Sequence, residues 1–206
     1  MPMPLTCRPQ AVSYDAPSGH PETETERVCL RQFTPADLDG LAAIMAKPEV
    51  MRHLGLRGEP MPRWDTEVVL SGMVSHWSRH GYGRWAAEDK ASGRLIGFAG
   101  LRSFGRTQEL IYLLDRPYWG RGLATEMARE CLRFCFAEKR FDEVVAFARP
   151  GNLASRRVLE KVGLDFGGED DFLRLMAAAG LEPTPSGEGI RVAQYSLSRQ
   201  NYLCSW

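Results

Sequence analysis

The chain has 206 residues, enough for one compact domain with a substantial core. Its 26 Lys and Arg are matched by 26 Asp and Glu, so no overall charge draws it to nucleic acid or to an anionic membrane. No apolar run approaches a membrane span and the start shows no charged-then-apolar leader, which predicts a cytoplasmic protein with neither kind of partner.

Residues 1–25 hold five prolines and few large apolar groups. Such a stretch buries too little surface to offset its ordering entropy, which predicts a disordered tail ahead of a single domain over 26–206. Regular structure is expected to begin with a strand at Val28 to Phe33. Thr34-Pro35-Ala36-Asp37 then reads as a helix start, with Leu38, Leu41, Ala42 and Met45 at helical spacing behind it. Residues 47–63 read as loop, and a second helix is predicted from about Asp65 to His80. Two strands, Arg84 to Asp89 and Arg94 to Leu101, are joined by the turn Ala91-Ser92-Gly93. A strand at Glu109 to Leu114 follows, then a helix over 121–139, a strand at Glu143 to Arg149, a helix over 153–162 and a strand at Leu164 to Gly167. The stretch 170–189 starts helically and turns Gly/Pro-rich before a last strand, Arg191 to Leu197. This order implies an α/β (α+β) domain: a mixed sheet with helices packed on it.

The five cysteines are scattered and odd in number, which argues against a disulfide framework. Cys131 and Cys135 share a helix face with Leu123, Met127 and Phe134 and read as core. The four histidines form no ligand set, and no metal site is expected.

The segment Trp119-Gly120-Arg121-Gly122-Leu123-Ala124-Thr125-Glu126 stands where a strand hands over to an amphipathic helix. The first amides of a helix have no partner within it and the helix dipole favours an anion beside them, so a phosphorylated ligand is the first expectation. Neither GxxxxGK[ST] nor GxGxxG is present. By mechanism alone, a tight turn without a ligand stays open.

The same segment resembles the Q/R-x-x-G-x-G/A motif of the GNAT superfamily of acetyl-CoA-dependent N-acetyltransferases, with Trp119 in place of the Gln or Arg. Its local form, and Asn152-Leu153-Ala154-Ser155-Arg156-Arg157-Val158-Leu159-Glu160-Lys161-Val162-Gly163-Leu164 beyond it, resemble the branch of ribosomal-protein alanine N-acetyltransferases. The stretches Arg94–Leu101 and Ala193–Leu197 are similar to the family pattern as well.

The resemblance implies a mostly antiparallel sheet of six to seven strands with splayed central strands and about four helices. It implies acetyl-CoA as co-substrate, its pyrophosphate on the amides of Arg121, Gly122, Leu123, Ala124 and Thr125. The pantetheine arm is then expected between the splayed strands, against backbone of Leu113 and Leu114, with Asn152 on the cofactor or capping its helix. Glu109 is the implied general base. Many relatives protonate the thiolate with a Tyr, but Leu159 holds that position here; Ser155 is the implied acid and Tyr112 a reserve. No Cys–His nucleophile pair is visible, which favours direct transfer. The expected acceptor is a peptide N-terminus or small amine, and the expected state is monomer or homodimer. A binding module without transfer, or preference for a longer acyl group, stays open.

Overall fold

The computed structural model describes residues 22–55, 58–182 and 189–205. An eight-stranded sheet runs in the order β1-β2-β3-β4-β5-β6-β8-β7. Its strands are β1 (Thr23–Glu24), β2 (Val28–Arg31), β3 (Arg84–Asp89), β4 (Arg94–Phe104), β5 (Thr107–Leu114), β6 (Glu143–Ala148), β7 (Asp165–Asp171) and β8 (Arg191–Ser198). All neighbours are antiparallel except β5 and β6. The helices are α1 (Leu38–Met45), α2 (Pro48–Met51), α3 (Arg63–His80), α4 (Leu123–Arg133), α5 (Leu153–Lys161), α6 (Phe172–Ala178) and α7 (Arg199–Ser205).

The mixed, mostly antiparallel sheet follows the expected order, with one strand more than six to seven. The extra strand is β1, whose two residues pair with Leu30 and Cys29 and fall at the end of the expected tail. The rest of that tail, residues 1–21, lies outside the described residues, as do Leu56, Arg57 and residues 183–188. Among the described residues the helices number seven against about four expected, because short ones form in the expected loop (α2), after β7 (α6) and after β8 (α7). No described helix is long and apolar enough to cross a membrane.

Both sheet faces are covered. On one face, Leu123, Met127, Cys131 and Leu132 of α4 meet Leu30, Trp85, Ile96, Leu110 and Val144. On the other, Leu41, Ile44 and Met45 of α1 and Leu70 and Met73 of α3 meet Ala86, Phe98 and Leu113. After Arg133 the helix widens into a π-turn over Phe134–Glu138. Three successive residues, Phe134, Cys135 and Phe136, are then fully buried. Burial pushes the Cys135 thiol up to about 12 and Cys131 higher still, so both act as apolar packing groups.

A second consequence of local chemistry lies at the start of α1. The Asp37 carboxylate accepts the Thr34 amide at 2.7 Å and receives both Arg31 amino groups, at 2.9 and 2.6 Å. Burial alone would raise this carboxyl, but those hydrogen bonds outweigh it and hold it below its ordinary value. Its unfolded form therefore binds protons more readily than its folded form. The stabilisation is complete above the unfolded value of about 3.9 and disappears as pH falls towards the folded one. Asp37→Asn is expected to cost about 1.5–3 kcal/mol at pH 7 in denaturant unfolding. The gap to wild type should narrow as the solution is acidified below pH 4; a gap that stays constant would show that the charge is not what matters.

The central feature is the opening between β5 and β6. Their parallel pairing is confined to Gln108↔Val144 and Glu109↔Val145. Beyond those pairs β5 continues to Leu114 and β6 to Ala148 without partnering one another, so the sheet splits in the middle. The chain leaves β5 for α4 and β6 for α5, which brings two helix N-termini to the open end of the split.

Candidate active site

Gly122 is the N-cap of α4 and has φ 80°, a left-handed conformation. Glycine reaches it without steric cost, whereas a β-branched residue does not. The first intrahelical bond runs from the Glu126 amide to the Gly122 carbonyl at 3.1 Å, so the amides of Leu123, Ala124 and Thr125 precede the helix's own bonding pattern. The Arg121 carbonyl is turned away and accepts Arg27 Nη1 at 2.9 Å, while the Arg121 guanidinium stacks on Tyr118 at 5.3 Å.

A carboxylate so close to an anion cradle needs neutralising, and Glu126 is neutralised. It accepts Arg27 Nε at 2.8 Å, the Arg27 amide at 2.8 Å and the Thr25 hydroxyl. Burial acts to raise its carboxyl, but these donors outweigh burial and keep it below its ordinary value. The network also ties the turn after β1 to the first turn of α4.

Along β5, the Asp115 amide donates to the Ile96 carbonyl at 2.7 Å, and the Leu113 carbonyl lies against Gly97 of β4. Main-chain groups alternate sides along a strand. Those of Leu113 therefore serve the β4 ladder, and those of Tyr112 and Leu114 face the split. The Leu114 carbonyl accepts the Trp119 indole at 2.7 Å. That leaves the Tyr112 peptide groups and the Leu114 amide directed at the gap.

Across the gap, Tyr112 reaches α5. Its hydroxyl lies 2.9 Å from Ser155 Oγ and donates to the Ser155 carbonyl at 3.1 Å. Burial raises this phenol well above its ordinary value, so it stays protonated and acts as a donor. Asn152 caps α5, its Oδ1 accepting the Ser155 amide at 3.2 Å. Leu159 is fully in the core, 1% exposed, and has no part in the gap.

Glu109 sits where β5 and β6 last pair, 4% exposed. Its Oε2 accepts Arg102 Nε at 2.6 Å from the opposing residue of β4. Its Oε1 takes no hydrogen bond from the described residues. Arg84, on β3, has its pKa lowered to about 10, mainly by burial and then by Arg102, with Glu109 opposing, and it stays charged at neutral pH. Its guanidinium lies 5.9 Å from the Phe98 ring.

Beside Glu109 an open cavity of about 530 Å³ lies between the β4–β5 turn, β6 and α6, lined by Phe104, Thr107, Val145, Phe147, Leu175 and Ala179 among others. Phe104 and Phe147 are 4.8 Å apart, and Phe172 at the start of α6 is 5.3 Å from Phe147. Gly105 makes this packing possible. A Cβ there would meet the Ala179 carbonyl oxygen at 2.5 Å, so the end of α6 seats directly on the turn.

The sequence reading singled out Glu109, Tyr112, Ser155 and the α4 turn, and the fold gathers all of them around the split. It did not single out Arg102, Arg84 or the phenylalanine cluster. Arg102 was within reach: a tight turn at Gly105-Arg106 sets Phe104 opposite Thr107, and counting back places Arg102 opposite Glu109. Arg84 and Phe172 come from elements whose placement no local pattern dictates. No group of three or more metal-ligating side chains occurs among the described residues.

Known proteins share the family sequence pattern and the fold. The sequence model of the Acetyltransferase (GNAT) domain matches residues 27–165. Protein YkkB of Bacillus subtilis (strain 168) is 35% identical over 153 residues, covering 69% of this chain and 84% of that protein. A GNAT-family acetyltransferase from Bacillus anthracis superposes with a TM-score of 0.70 at 21% identity, covering 87% of this chain and 99% of that one. Spermidine N-acetyltransferase from Vibrio cholerae, solved in complex with CoA and spermine, superposes with a TM-score of 0.67 at 18% identity, covering 86% and 98%.

Proposed function

This chain belongs to the GNAT acetyltransferase family, and on that premise we propose that it moves an acetyl group directly from acetyl-CoA to a primary amine. The observation that carries the proposal is the split between β5 and β6, with the glycine turn and first amides of α4 at its open end and the Glu109 carboxylate where the strands rejoin.

The residues fit the co-substrate. The amides of Gly122, Leu123, Ala124 and Thr125, with the charge of Arg121, hold its pyrophosphate. The Leu114 amide and the Tyr112 peptide hydrogen-bond the pantetheine arm, while the Leu113 side chain packs behind it on Phe98 and Asn152 steadies the far wall through α5. When bound, acetyl-CoA supplies an activated carbonyl and a thiolate leaving group.

Only a neutral amine attacks, so a base must hold its proton, and Oε1 of Glu109 is the acceptor with a free position. An α-amine, with pKa near 8, is roughly a tenth deprotonated at pH 7, against less than a thousandth for a lysine side chain at about 10.4. One modest base therefore suits α-amines better. At the other end, the Tyr112 and Ser155 hydroxyls form a relay that gives a proton to the departing sulfur.

Tyr112→Phe is expected to lower kcat about tenfold with little change in KM for acetyl-CoA, since Ser155 remains; equal loss in KM would mark Tyr112 as a packing residue. The reading as a whole is tested by thiol release from acetyl-CoA across free amino acids, N-terminal peptides and polyamines. Amine-dependent release is expected. Coenzyme A binding without release from any amine would make the protein a binding module, and faster release from longer acyl thioesters would reassign the donor.

A further inference from the structure

We infer that the acceptor is an amino acid with an apolar side chain: its amine is received at Glu109, its carboxylate at Arg84 and Arg102, and its side chain in the cavity beside Phe104 and Phe147. The inference deepens the transferase reading and rests on it.

The register sets Arg102, Glu109 and Val145 side by side on β4, β5 and β6. Neighbouring strands are about 4.8 Å apart, so this row spans roughly 10 Å, the reach of a small acceptor. Arg84 lies on the next strand opposite Gly100, two residues along β4 from Arg102 and on the same sheet face, so its guanidinium reaches the row diagonally. No carboxylate among the described residues pairs with Arg84, and Glu109 is already engaged by Arg102. Two guanidinium groups thus face one carboxylate, and the cluster carries an excess positive charge.

Both guanidinium groups are partly buried, and a ligand carboxylate would balance their excess charge through charge-assisted hydrogen bonds. A polyamine would add positive charge to the same place. On the far side of Glu109, the cavity is lined mainly by Phe104, Val145, Phe147, Leu175 and small residues of α6, with Thr107 and Gln194 as its uncharged polar groups and Arg106 the charged one. Its volume of about 530 Å³ accommodates an aliphatic or aromatic side chain.

The test is equilibrium binding to the coenzyme A-saturated protein, measured calorimetrically with L-phenylalanine, 2-phenylethylamine, L-phenylalaninamide, L-alanine and spermidine. L-Phenylalanine is expected to bind at least about tenfold tighter than the decarboxylated amine or the amide. It should also bind about fivefold or more tighter than L-alanine, with spermidine weakest. In Arg84→Gln the first difference should shrink to about twofold, with coenzyme A binding retained as the check on folding. Equal affinities of L-phenylalanine and 2-phenylethylamine in the wild type, failure of both to bind, or tighter binding of spermidine would overturn the inference. Binding does not require chemistry, so these outcomes are independent of thiol release: a protein that bound L-phenylalanine but released no thiol would refute the transferase reading alone.

Discussion

Glu109→Gln is expected to lower kcat/KM for an amine acceptor by about 10²–10⁴-fold, the usual range for a positioned general base. The amide keeps the shape of the side chain and can still accept from Arg102 Nε, now 2.6 Å from Oε2. What it loses is the capacity to take a proton at Oε1. Two further results separate that loss from a structural one. The wild-type rate should exceed the variant's most where the amine is largely protonated, and the two should converge as pH approaches the amine's own pKa. The deficit should also shrink for amines of lower pKa, which need less help to shed a proton. An equal deficit for all amines would mean that the substitution disturbs the Arg102–Glu109 floor instead of the proton transfer.

The second large effect is expected at Gly122. A valine there must adopt φ near 80°, which costs about 1–3 kcal/mol, or the turn must rearrange and move the amides of Leu123 to Thr125. The strain favours rearrangement, and rearrangement displaces the anion cradle. Gly122→Val should raise KM for acetyl-CoA by roughly 5–150-fold while leaving kcat at saturation within a few-fold, because Glu109, Tyr112 and Ser155 lie on other elements. The added methyls point towards Arg27 Nη2, 3.6 Å from an ideal Cβ, and that side chain is half-exposed and can move. A fall in kcat with unchanged KM would place the phosphates somewhere other than this turn.

Much of this architecture is legible in the sequence because the elements differ in period. Val69, Met73 and Trp77 recur every four residues in α3, and the runs on either side of Ala91-Ser92-Gly93 are strands. The split between β5 and β6 is legible only through the family resemblance, since no local signal in Glu109–Leu114 states where pairing stops. Arg102 is fixed by the register of one hairpin. Arg84 is not, because its relation to Glu109 depends on two successive registers, β3 on β4 and β4 on β5. β1 is two residues long, and contacts distant in sequence hold it: Thr25 and Arg27 on Glu126, Thr23 on Glu130 and Glu24 on Lys90. The cavity depends on α6 docking over Gly105, a tertiary contact between segments over sixty positions apart. The direction of the Leu113 main chain illustrates the finest level: the residue was visible in the sequence, and the side of the strand its peptide faces was decided by the ladder with β4.

The central claim is that the split and the α4 turn together hold acetyl-CoA. A crystal structure of the protein with coenzyme A tests it most directly. Pyrophosphate oxygens are expected within hydrogen-bond distance of the Leu123, Ala124 and Thr125 amides, and the pantetheine arm between β5 and β6 with its thiol directed towards Tyr112 and Ser155. Coenzyme A bound elsewhere on the surface, with the gap between β5 and β6 filled by protein or solvent, would contradict it.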